Sequence, residues 1–184
     1  MIGLFGATFD PPHNGHVALV EAAKEQLGLE RLVILVTVRP AYKEVATDVE
    51  TRYDLARAAF PRCEIDREEA TTDVTVRAAE ERFGDVIFLV GADQFLAFPS
   101  CHDPAAVLDH ARLGVATRPG YPRELLDETL ARLDRPERVL FFDAPAWPVA
   151  SRELRVRAAL GEPLDGLVPA AVAELIEARG LYRP

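Results

Sequence analysis

Apolar runs alternate with segments of helical spacing along the whole chain. Residues 2–7, 32–38 and 86–90 are almost entirely apolar, which is typical of strands buried on both faces. Shorter strands are predicted over 64–66, 113–117 and 139–142. Helices are predicted over 15–27, 49–60, 73–83, 104–111, 123–133, 152–160 and 169–179, several of them ended by a glycine.

Strands separated by helices predict right-handed crossovers and a mainly parallel sheet. The chain has no internal repeat, no low-complexity tract and no long linker. The expected fold class is therefore α/β, a Rossmann-like doubly wound parallel sheet in a single domain over residues 1–184. In such sheets a ligand binds beyond the carboxyl ends of the strands, so the residues that follow each strand are the first candidates for a site.

Composition and charge narrow the classes of partner. A net charge of −9 excludes a generally basic nucleic-acid binder, because duplex affinity comes largely from Lys and Arg on phosphates. No apolar run reaches the roughly 18 residues that cross a bilayer, so no membrane partner is expected. Cys63 and Cys101 are too few for a disulfide framework or a cysteine-rich zinc site, and a cytoplasmic location fits best.

The segment after the first strand, from Gly6 to His16, holds the densest group of candidate residues. His13 and His16 bracket the start of a predicted helix, whose free N–H groups and partial positive charge suit phosphate. Gly6 and Gly15 remove side-chain bulk where backbone could approach a ligand closely. Asp10 and two neighbouring prolines could fix the turn. Phosphate binding is one interpretation of this segment.

Two plainer interpretations stay open on residue chemistry alone. Asn14 could cap the helix without any binding role. Two histidines three residues apart could also bind a metal, although no third Cys or His lies nearby to complete a zinc site. The segment carries neither the G-x-G-x-x-G dinucleotide fingerprint nor the G-K-[ST] of a P-loop, so no familiar phosphate motif decides between them.

The pattern Gly6-x-x-Phe9-Asp10-Pro11-x-His13-x-Gly15-His16 resembles the signature of the nucleotidyltransferase α/β-phosphodiesterase superfamily, which carries an H-x-G-H element. Within that superfamily the chain most resembles bacterial nicotinate-nucleotide adenylyltransferases. Matching motifs follow in order along nearly the whole chain: Pro40-Ala41-Tyr42-Lys43, the helix that carries Arg52, Gly91-Ala92-Asp93, Arg118-Pro119-Gly120 and Val149-Ala150-Ser151-Arg152-Glu153-Leu154-Arg155.

The resemblance implies one nucleotidyltransferase domain over residues 1–184 that transfers AMP from ATP to nicotinate mononucleotide. The products are a dinucleotide, for NAD biosynthesis, and pyrophosphate. ATP is the implied nucleotide substrate, with Mg²⁺ bridging its phosphate oxygens and keeping most of its own waters. The implied partner is a small-molecule mononucleotide, with no nucleic acid and no membrane, and a homo-oligomer is left open.

The same resemblance assigns roles to residues of this sequence. His13, His16 and Lys43 match the catalytic positions. Both histidines contact the ATP phosphates, with His16 nearest the transferred phosphate, and Lys43 binds phosphate. The other implied nucleotide contacts are Gly6, Ala7, Thr8 and Phe9 in the first motif, Gly91 and Asp93 beside the ATP ribose, Arg118 on the nucleotide side, and Ser151 and Arg155 on the triphosphate.

Three departures from the family pattern leave the acceptor open. Cys101 stands where the family has a tryptophan that stacks on the nicotinate ring, and Ala70-Thr71-Thr72 replaces a Ser-Tyr-Thr. Ala150 and Arg152 replace the usual Ser and Thr of the late motif, so a hydroxyl donor is lost. The alternatives are a same-fold adenylyltransferase with another acceptor, such as nicotinamide mononucleotide or phosphopantetheine, and a catalytically weak nucleotide-binding protein.

Three further residues bear on the altered acceptor region. His102 could replace the stacking contact or could be a surface histidine before a helix. Trp147 could supply a ring or could serve in packing. Cys101 is expected to be an inert small residue, because nothing in the neighbouring sequence would lower the pKa of its thiol.

Overall fold

The apolar runs form the strands of one sheet, and the segments between them form helices. The computed structural model describes residues 1–40 and 44–183. Its strands are β1 (Ile2–Ala7), β2 (Arg31–Thr37), β3 (Glu64–Glu68), β4 (Val86–Gly91), β5 (Arg112–Thr117) and β6 (Val139–Asp143). Its helices are α1 (Asn14–Gln26), α2 (Val49–Ala59), α3 (Thr72–Phe83), α4 (Ala92–Ala97), α5 (Pro104–His110), α6 (Arg123–Leu130), α7 (Ser151–Ala159) and α8 (Ala170–Ala178). Short 3₁₀ turns lie at Phe98–Ser100 and Pro136–Arg138.

The six strands form a parallel sheet in the order β3-β2-β1-β4-β5-β6. Strand β1 pairs in register with β4, from Ile2 opposite Val86 to Phe5 opposite Leu89. Strand β5 pairs in parallel with both β4 and β6. This order is the one found in Rossmann folds, so the predicted α/β fold class is confirmed.

The central strands are buried because their side chains are nearly all branched or aromatic. Residues 32–36 of β2 and 86–90 of β4 are all buried. In β5, a Cβ at Gly114 would lie only 2.7 Å from a methyl carbon of Leu89, so a side chain at this position would require Leu89 to shift. The apolar runs therefore became the middle of the sheet, as the sequence predicted.

Several helix limits differ from the predicted ones, and one helix was not predicted. Helix α1 begins at Asn14 and α7 at Ser151, each one residue earlier than expected. Helix α6 ends at Leu130 rather than residue 133, because i→i+3 bonds from Arg132 and Leu133 tighten the chain into a turn. Helix α4 follows β4 directly, and its six residues are too few to show helical spacing in the sequence.

The chain divides into two compact units. The first consists of Met1–Phe5, Leu19–Val33 and Ala70–Ala146, and in it α3 packs against α5 and α4 against α6. The second consists of Gly6–Ala18, Ile34–Glu69 and Trp147–Pro184, and in it α2 packs against α8. One nucleotidyltransferase domain over residues 1–184 stays a prediction.

Candidate functional site

Residues 8–13, between β1 and α1, form what we call the histidine loop. Phe9 anchors it, because its side chain is only 1% exposed and its ring meets those of Phe60 and His16 edge-on, with centroids 5.7 and 5.3 Å away. The φ angle of Phe9 is 55°, in the left-handed region that bulky residues rarely adopt. With the ring buried, a nucleotide contact by Phe9 would have to come from its backbone.

Side chains from two helices hold the carbonyl groups of the histidine loop. The bonds run from Arg52 to the carbonyl of Thr8 (3.1 Å), from Arg155 to that of Asp10 (2.7 Å) and from Ser151 to that of Pro11 (2.8 Å). Ser151 and Arg155 are two of the predicted triphosphate ligands, and both lie in α7. In this structure they support the loop that carries the histidines.

Arg52 is a buried cation that ties the loop to the end of β2. It is 2% exposed, and its guanidinium also donates to the carbonyls of Thr37 at 2.6 Å and Val38 at 3.1 Å. Burial lowers the pKa of Arg52, and the negative charges of Asp10 and Asp48 oppose that shift. A buried charge with this many partners is costly to remove, so Arg52 acts as a structural anchor.

Asp10 is the buried acceptor of the histidine loop. Its carboxylate, 2% exposed, accepts hydrogen bonds from the backbone N–H of Ala46 at 2.6 Å and from the hydroxyl of Thr47 at 2.7 Å. The phenol of Tyr182 donates a third bond at 2.8 Å. These contacts tie the Asp10 carboxylate to residues far along the chain, and the expectation that Asp10 fixes the turn stays a prediction.

The imidazoles of His13 and His16 lie face to face at the start of α1. Their ring centroids are 3.7 Å apart and the planes are inclined by 24°. The backbone N–H of His13 donates to Nδ1 of His16 at 3.2 Å. Because Nδ1 accepts this bond, the proton of the neutral His16 ring is on Nε2. His16 therefore carries its hydrogen-bond donor at Nε2.

His13 has a buried ring nitrogen that needs a partner. Among the residues that the structure describes, Nδ1 of His13 neither donates nor accepts a hydrogen bond. Burial lowers the pKa of His13 from 6.5 to about 4, so the ring is neutral at pH 7. Because an unpaired buried polar atom costs free energy, Nδ1 of His13 is an unsatisfied hydrogen-bonding group of this structure.

Gly15 leaves the space in which the His13 ring lies. A Cβ at this position would be 3.0 Å from Nδ1 of His13, 3.1 Å from its Cε1 and 3.2 Å from Cβ of Trp147. Any side chain would therefore press on both neighbours. The glycine of the motif is explained by this close approach, and Trp147, 40% exposed, lies beside the histidine motif.

The first residues of α1 and of α7 belong to the second unit, as does the histidine loop. The first turn of α1 contains no acidic residue, and the side-chain amide of Asn14 donates to the carbonyl of Gly166 at 2.8 Å. Helix α7 has Ala150 in its N-cap position, without a side-chain cap. Helix starts carry a partial positive charge, which suits an anion. At the start of α1 the N–H groups of Asn14 and His16 already donate to the carbonyls of Leu167 and His13, both at 2.9 Å.

A second group of predicted residues lies in the first unit, where β4 leads into α4. Gly91 is the N-cap of α4, and a Cβ there would lie 2.7 Å from Oδ1 of Asp93. Arg118 pairs with Asp93 at 3.3 Å and lies over the ring of Tyr121, 5.1 Å from its centroid. The structure thus brings Gly91, Asp93 and Arg118 together.

The region that departs from the family pattern is exposed. Cys101 is a free, exposed thiol, and partial burial together with the charges of Asp73 and Asp103 raises its pKa. The expectation that Cys101 is unreactive agrees with this shift. His102 lies 3.2 Å from Asp73 with 74% of its side chain exposed, so it is a surface histidine paired with a carboxylate.

The structure separates the predicted site residues into two groups. His13, His16, Ser151, Arg155 and residues 6–9 belong to the second unit, and Gly91, Asp93 and Arg118 belong to the first. Lys43 lies outside the described residues. Sequence reasoning missed Thr47 and Tyr182 as partners of Asp10, because no local pattern signals contacts across 37 and 172 positions.

Among residues 1–40 and 44–183, no group of three His, Cys, Asp or Glu residues is placed to hold a metal ion. Nor does any helix of those ranges have the length and hydropathy required to cross a membrane.

The strand order defines an α/β protein of the Rossmann-like class, with the histidine pair at the first strand-to-helix junction. The cytidylyltransferase-like family model matches residues 4–157. The chain belongs to that family and, within it, to the nicotinate-nucleotide adenylyltransferases.

Two relatives and one solved structure document the similarity. A probable nicotinate-nucleotide adenylyltransferase of Moorella thermoacetica is 35% identical over 199 residues, covering 100% of this chain and 92% of the relative. A probable nicotinate-nucleotide adenylyltransferase of Rubrobacter xylanophilus is 35% identical over 196 residues, covering 99% of this chain and 92% of the relative. The Plasmodium falciparum nicotinic acid mononucleotide adenylyltransferase complexed with NaAD superposes with a TM-score of 0.79 at 12% identity, covering 98% and 96% of the two chains. This last likeness shows the fold.

Proposed function

We propose that the chain transfers AMP from ATP to the phosphate of nicotinate mononucleotide, giving a dinucleotide and pyrophosphate. The observation that carries the proposal is the stacked pair of His13 and His16, in which Nδ1 of His13 is buried without a protein partner among the described residues. The pair lies at the start of α1, whose first turn has no acidic side chain to repel a phosphate. The family membership supports the choice of reaction and acceptor.

In the proposed reaction an oxygen of the acceptor phosphate attacks the α-phosphorus of ATP in line. A new P–O bond forms at that phosphorus while its bond to the bridging oxygen breaks, and pyrophosphate leaves with the electron pair. The acceptor itself is the nucleophile, so the protein needs to align the two phosphates and to stabilise developing negative charge.

The two histidines differ in what they can offer to phosphate. His16 would donate from Nε2–H to an oxygen of the transferred phosphate, because its Nδ1 is occupied by the backbone of His13. His13 would donate from Nδ1, the atom that lacks a protein partner. The negative charge of a bound triphosphate favours protonation, so binding should raise the pKa of His13 from its low value of about 4.

Lys43, Ser151 and Arg155 are proposed to bind the remaining phosphate oxygens. A guanidinium has five N–H donors. One N–H of Arg155 donates to the carbonyl of Asp10. Arg155 can therefore support the loop and bind phosphate at once. Ser151 is the first residue of α7, where backbone N–H groups have no acceptor within the helix.

The nucleoside part of ATP is assigned to the remaining residues. We place ribose contacts at Gly91 and Asp93. We place backbone contacts at four residues of the first motif, which are Gly6, Ala7, Thr8 and Phe9. Arg118 is assigned to the nucleotide side, and since it pairs with Asp93 at 3.3 Å, nucleotide binding would rearrange that exposed ion pair.

The residues of the histidine loop do not fit a protein-held magnesium site. The carboxylate of Asp10 is occupied by Ala46, Thr47 and Tyr182, and no three-residue metal group occurs among residues 1–40 and 44–183. We therefore propose that any Mg²⁺ would be brought by ATP and not held by protein carboxylates, and that it would supply partial neutralisation of the phosphate charge.

The proposed setting and partners follow the sequence expectations. We propose a reducing cytoplasm as the setting, because the sequence has only two cysteines, Cys63 and Cys101. The proposed partner is a small-molecule mononucleotide, and a homo-oligomer stays an open prediction.

A same-fold enzyme with another acceptor is the second candidate, and Cys101 favours it. The family's stacking tryptophan is replaced there by an exposed thiol, and a thiol has no aromatic face to stack on a pyridine ring. Nicotinamide mononucleotide and phosphopantetheine are the competing acceptors.

Pyrophosphate release from ATP and Mg²⁺, measured in parallel with nicotinate mononucleotide, nicotinamide mononucleotide and phosphopantetheine, tests the proposal. We expect the highest kcat/KM with nicotinate mononucleotide. A higher value with either other acceptor would select the second candidate. ATP binding without pyrophosphate release from any acceptor would indicate a catalytically weak nucleotide-binding protein.

A further inference from the structure

The end of α8 directs the following residues along a defined path. Gly180 has a φ of 60°, and the N–H of Leu181 donates to the carbonyl of Ile176 at 2.9 Å, the bond pattern of a Schellman turn. Arg179 pairs with Asp54 of α2 at 2.7 Å. Because α8 is held by α2 and ends in this turn, Tyr182 reaches a fixed position.

Tyr182 binds the buried carboxylate of the histidine loop. Its phenol donates to Oδ1 of Asp10 at 2.8 Å. The backbone φ of Tyr182 is 66°, a left-handed value that is rare for an aromatic residue and persists where the surrounding structure holds it. Burial and the neighbouring charge of Asp10 raise the pKa of Tyr182, so the phenol remains a donor at physiological pH.

The same carboxylate joins two further segments. Ala46 and Thr47 donate to it at 2.6 and 2.7 Å, and they follow Lys43 by three and four positions. Asp10 also accepts, at its backbone carbonyl, the bond from Arg155 at 2.7 Å. The carboxylate therefore links the histidine loop, the segment after Lys43 and the segment after α8.

We propose that Tyr182 is a positioning residue of the transfer reaction, whose hydroxyl holds Asp10 and thereby the backbone that presents His13 and His16 to phosphate. The role rests on the proposed function. Tyr182 acts through Asp10 and not on the reacting atoms. A packing role would need only the aromatic ring, whereas this role needs the hydroxyl, so Tyr182→Phe separates the two.

Tyr53→Phe is the matched control. The phenol of Tyr53 donates to the carbonyl of Ile65 at 2.8 Å in the same unit, so both variants lose one hydroxyl and one partly buried hydrogen bond. We expect Tyr182→Phe to lower kcat by about tenfold or more, since small displacements of catalytic groups are costly, with little change in the KM for ATP. Tyr53→Phe should keep kcat even where it lowers the urea midpoint equally. Retention of kcat in Tyr182→Phe would overturn the proposal.

A second readout needs no activity. Trp147 is the only tryptophan of the sequence, and its Cβ lies against Gly15, so its fluorescence reports on the histidine motif. In Tyr182→Phe, acrylamide quenching of Trp147 should increase and the pKa of His13, followed by NMR, should rise from about 4. If the wild type transfers AMP to none of the acceptors while these signals change, the proposed function fails and the positioning of the loop stands. Signals equal to those of wild type and Tyr53→Phe would overturn the positioning role.

Discussion

The ring of His13 stacks on the ring of His16 with centroids 3.7 Å apart, and the backbone N–H of His13 bonds to Nδ1 of His16. His13 therefore orients the His16 ring and determines which nitrogen of His16 carries the proton. His13 itself is neutral, because burial lowers its pKa to about 4. The pair lies at the start of a helix, which is the arrangement on which the proposed chemistry depends.

Replacement of His16 by alanine should reduce turnover strongly. Loss of one preorganised donor to a transition state typically costs about 10²- to 10³-fold in kcat, and the Nε2 donor of His16 is removed in full. Pyrophosphate release under single-turnover conditions measures the effect. His110→Ala is the control, since it removes another histidine, one that pairs with Glu80 at 2.8 Å. Turnover equal to that of the control would remove His16 from the mechanism.

The low pKa of His13 predicts an acid-sensitive fold. Folded His13 titrates at about 4 and an unfolded histidine at 6.5, so between these pH values the unfolded chain binds more protons. This contribution to the free energy of unfolding is complete above pH 6.5 and is lost as the pH falls to 4, by roughly 3 kcal/mol in total.

His13→Gln should remove that part of the pH dependence, because glutamine does not titrate. Urea unfolding measured at several pH values between 4 and 7 gives the slope for each protein. The exposed His102, replaced in the same way, provides the comparison. A slope in His13→Gln as steep as in the wild type would show that His13 is not the buried group responsible.

Gly15→Ala should damage function more than stability. Alanine favours the helix by roughly 1 kcal/mol over glycine, but its Cβ would lie 3.0 Å from Nδ1 of His13 and displace the ring. We expect a fall in kcat/KM with little loss of unfolding free energy. Ala18→Gly, in the same helix, should show the reverse, with reduced stability and full activity. Equal kcat/KM in Gly15→Ala and wild type would contradict the steric role of Gly15.

Cys101→Trp should improve recognition of a pyridine acceptor. Base–aromatic stacking is worth about 1–3 kcal/mol, and Cys101 is exposed, so a larger side chain has room. The KM for nicotinate mononucleotide should fall by about tenfold with the KM for ATP unchanged. Cys101→Ser, which adds no ring, should leave both constants unaltered. No gain with tryptophan would point to another acceptor or another pose.

Local patterns predicted the strands and most helices because apolar periodicity reflects burial directly. Residues 32–36 and 86–90 are apolar and are buried in the sheet. Helix α4 was not predicted, because six residues directly after a strand show no helical period. Limits such as the end of α6 at Leu130 depend on turn hydrogen bonds that composition does not reveal.

The candidate site was predictable in its residue types and less so in its supports. The histidine motif followed from the sequence, which also offered Asp10 as a candidate for fixing the turn. The partners of Asp10 did not, because Tyr182 lies 172 positions away. The burial of Arg52 was also not predictable, because an arginine in a helix is normally exposed. Its burial depends on carbonyl groups of two other segments.

A crystal structure with a non-hydrolysable ATP analogue tests the central claim most directly. We predict a triphosphate in contact with Nε2 of His16 and Nδ1 of His13, at the start of α1. An analogue bound elsewhere, with both imidazoles free of phosphate, would contradict it.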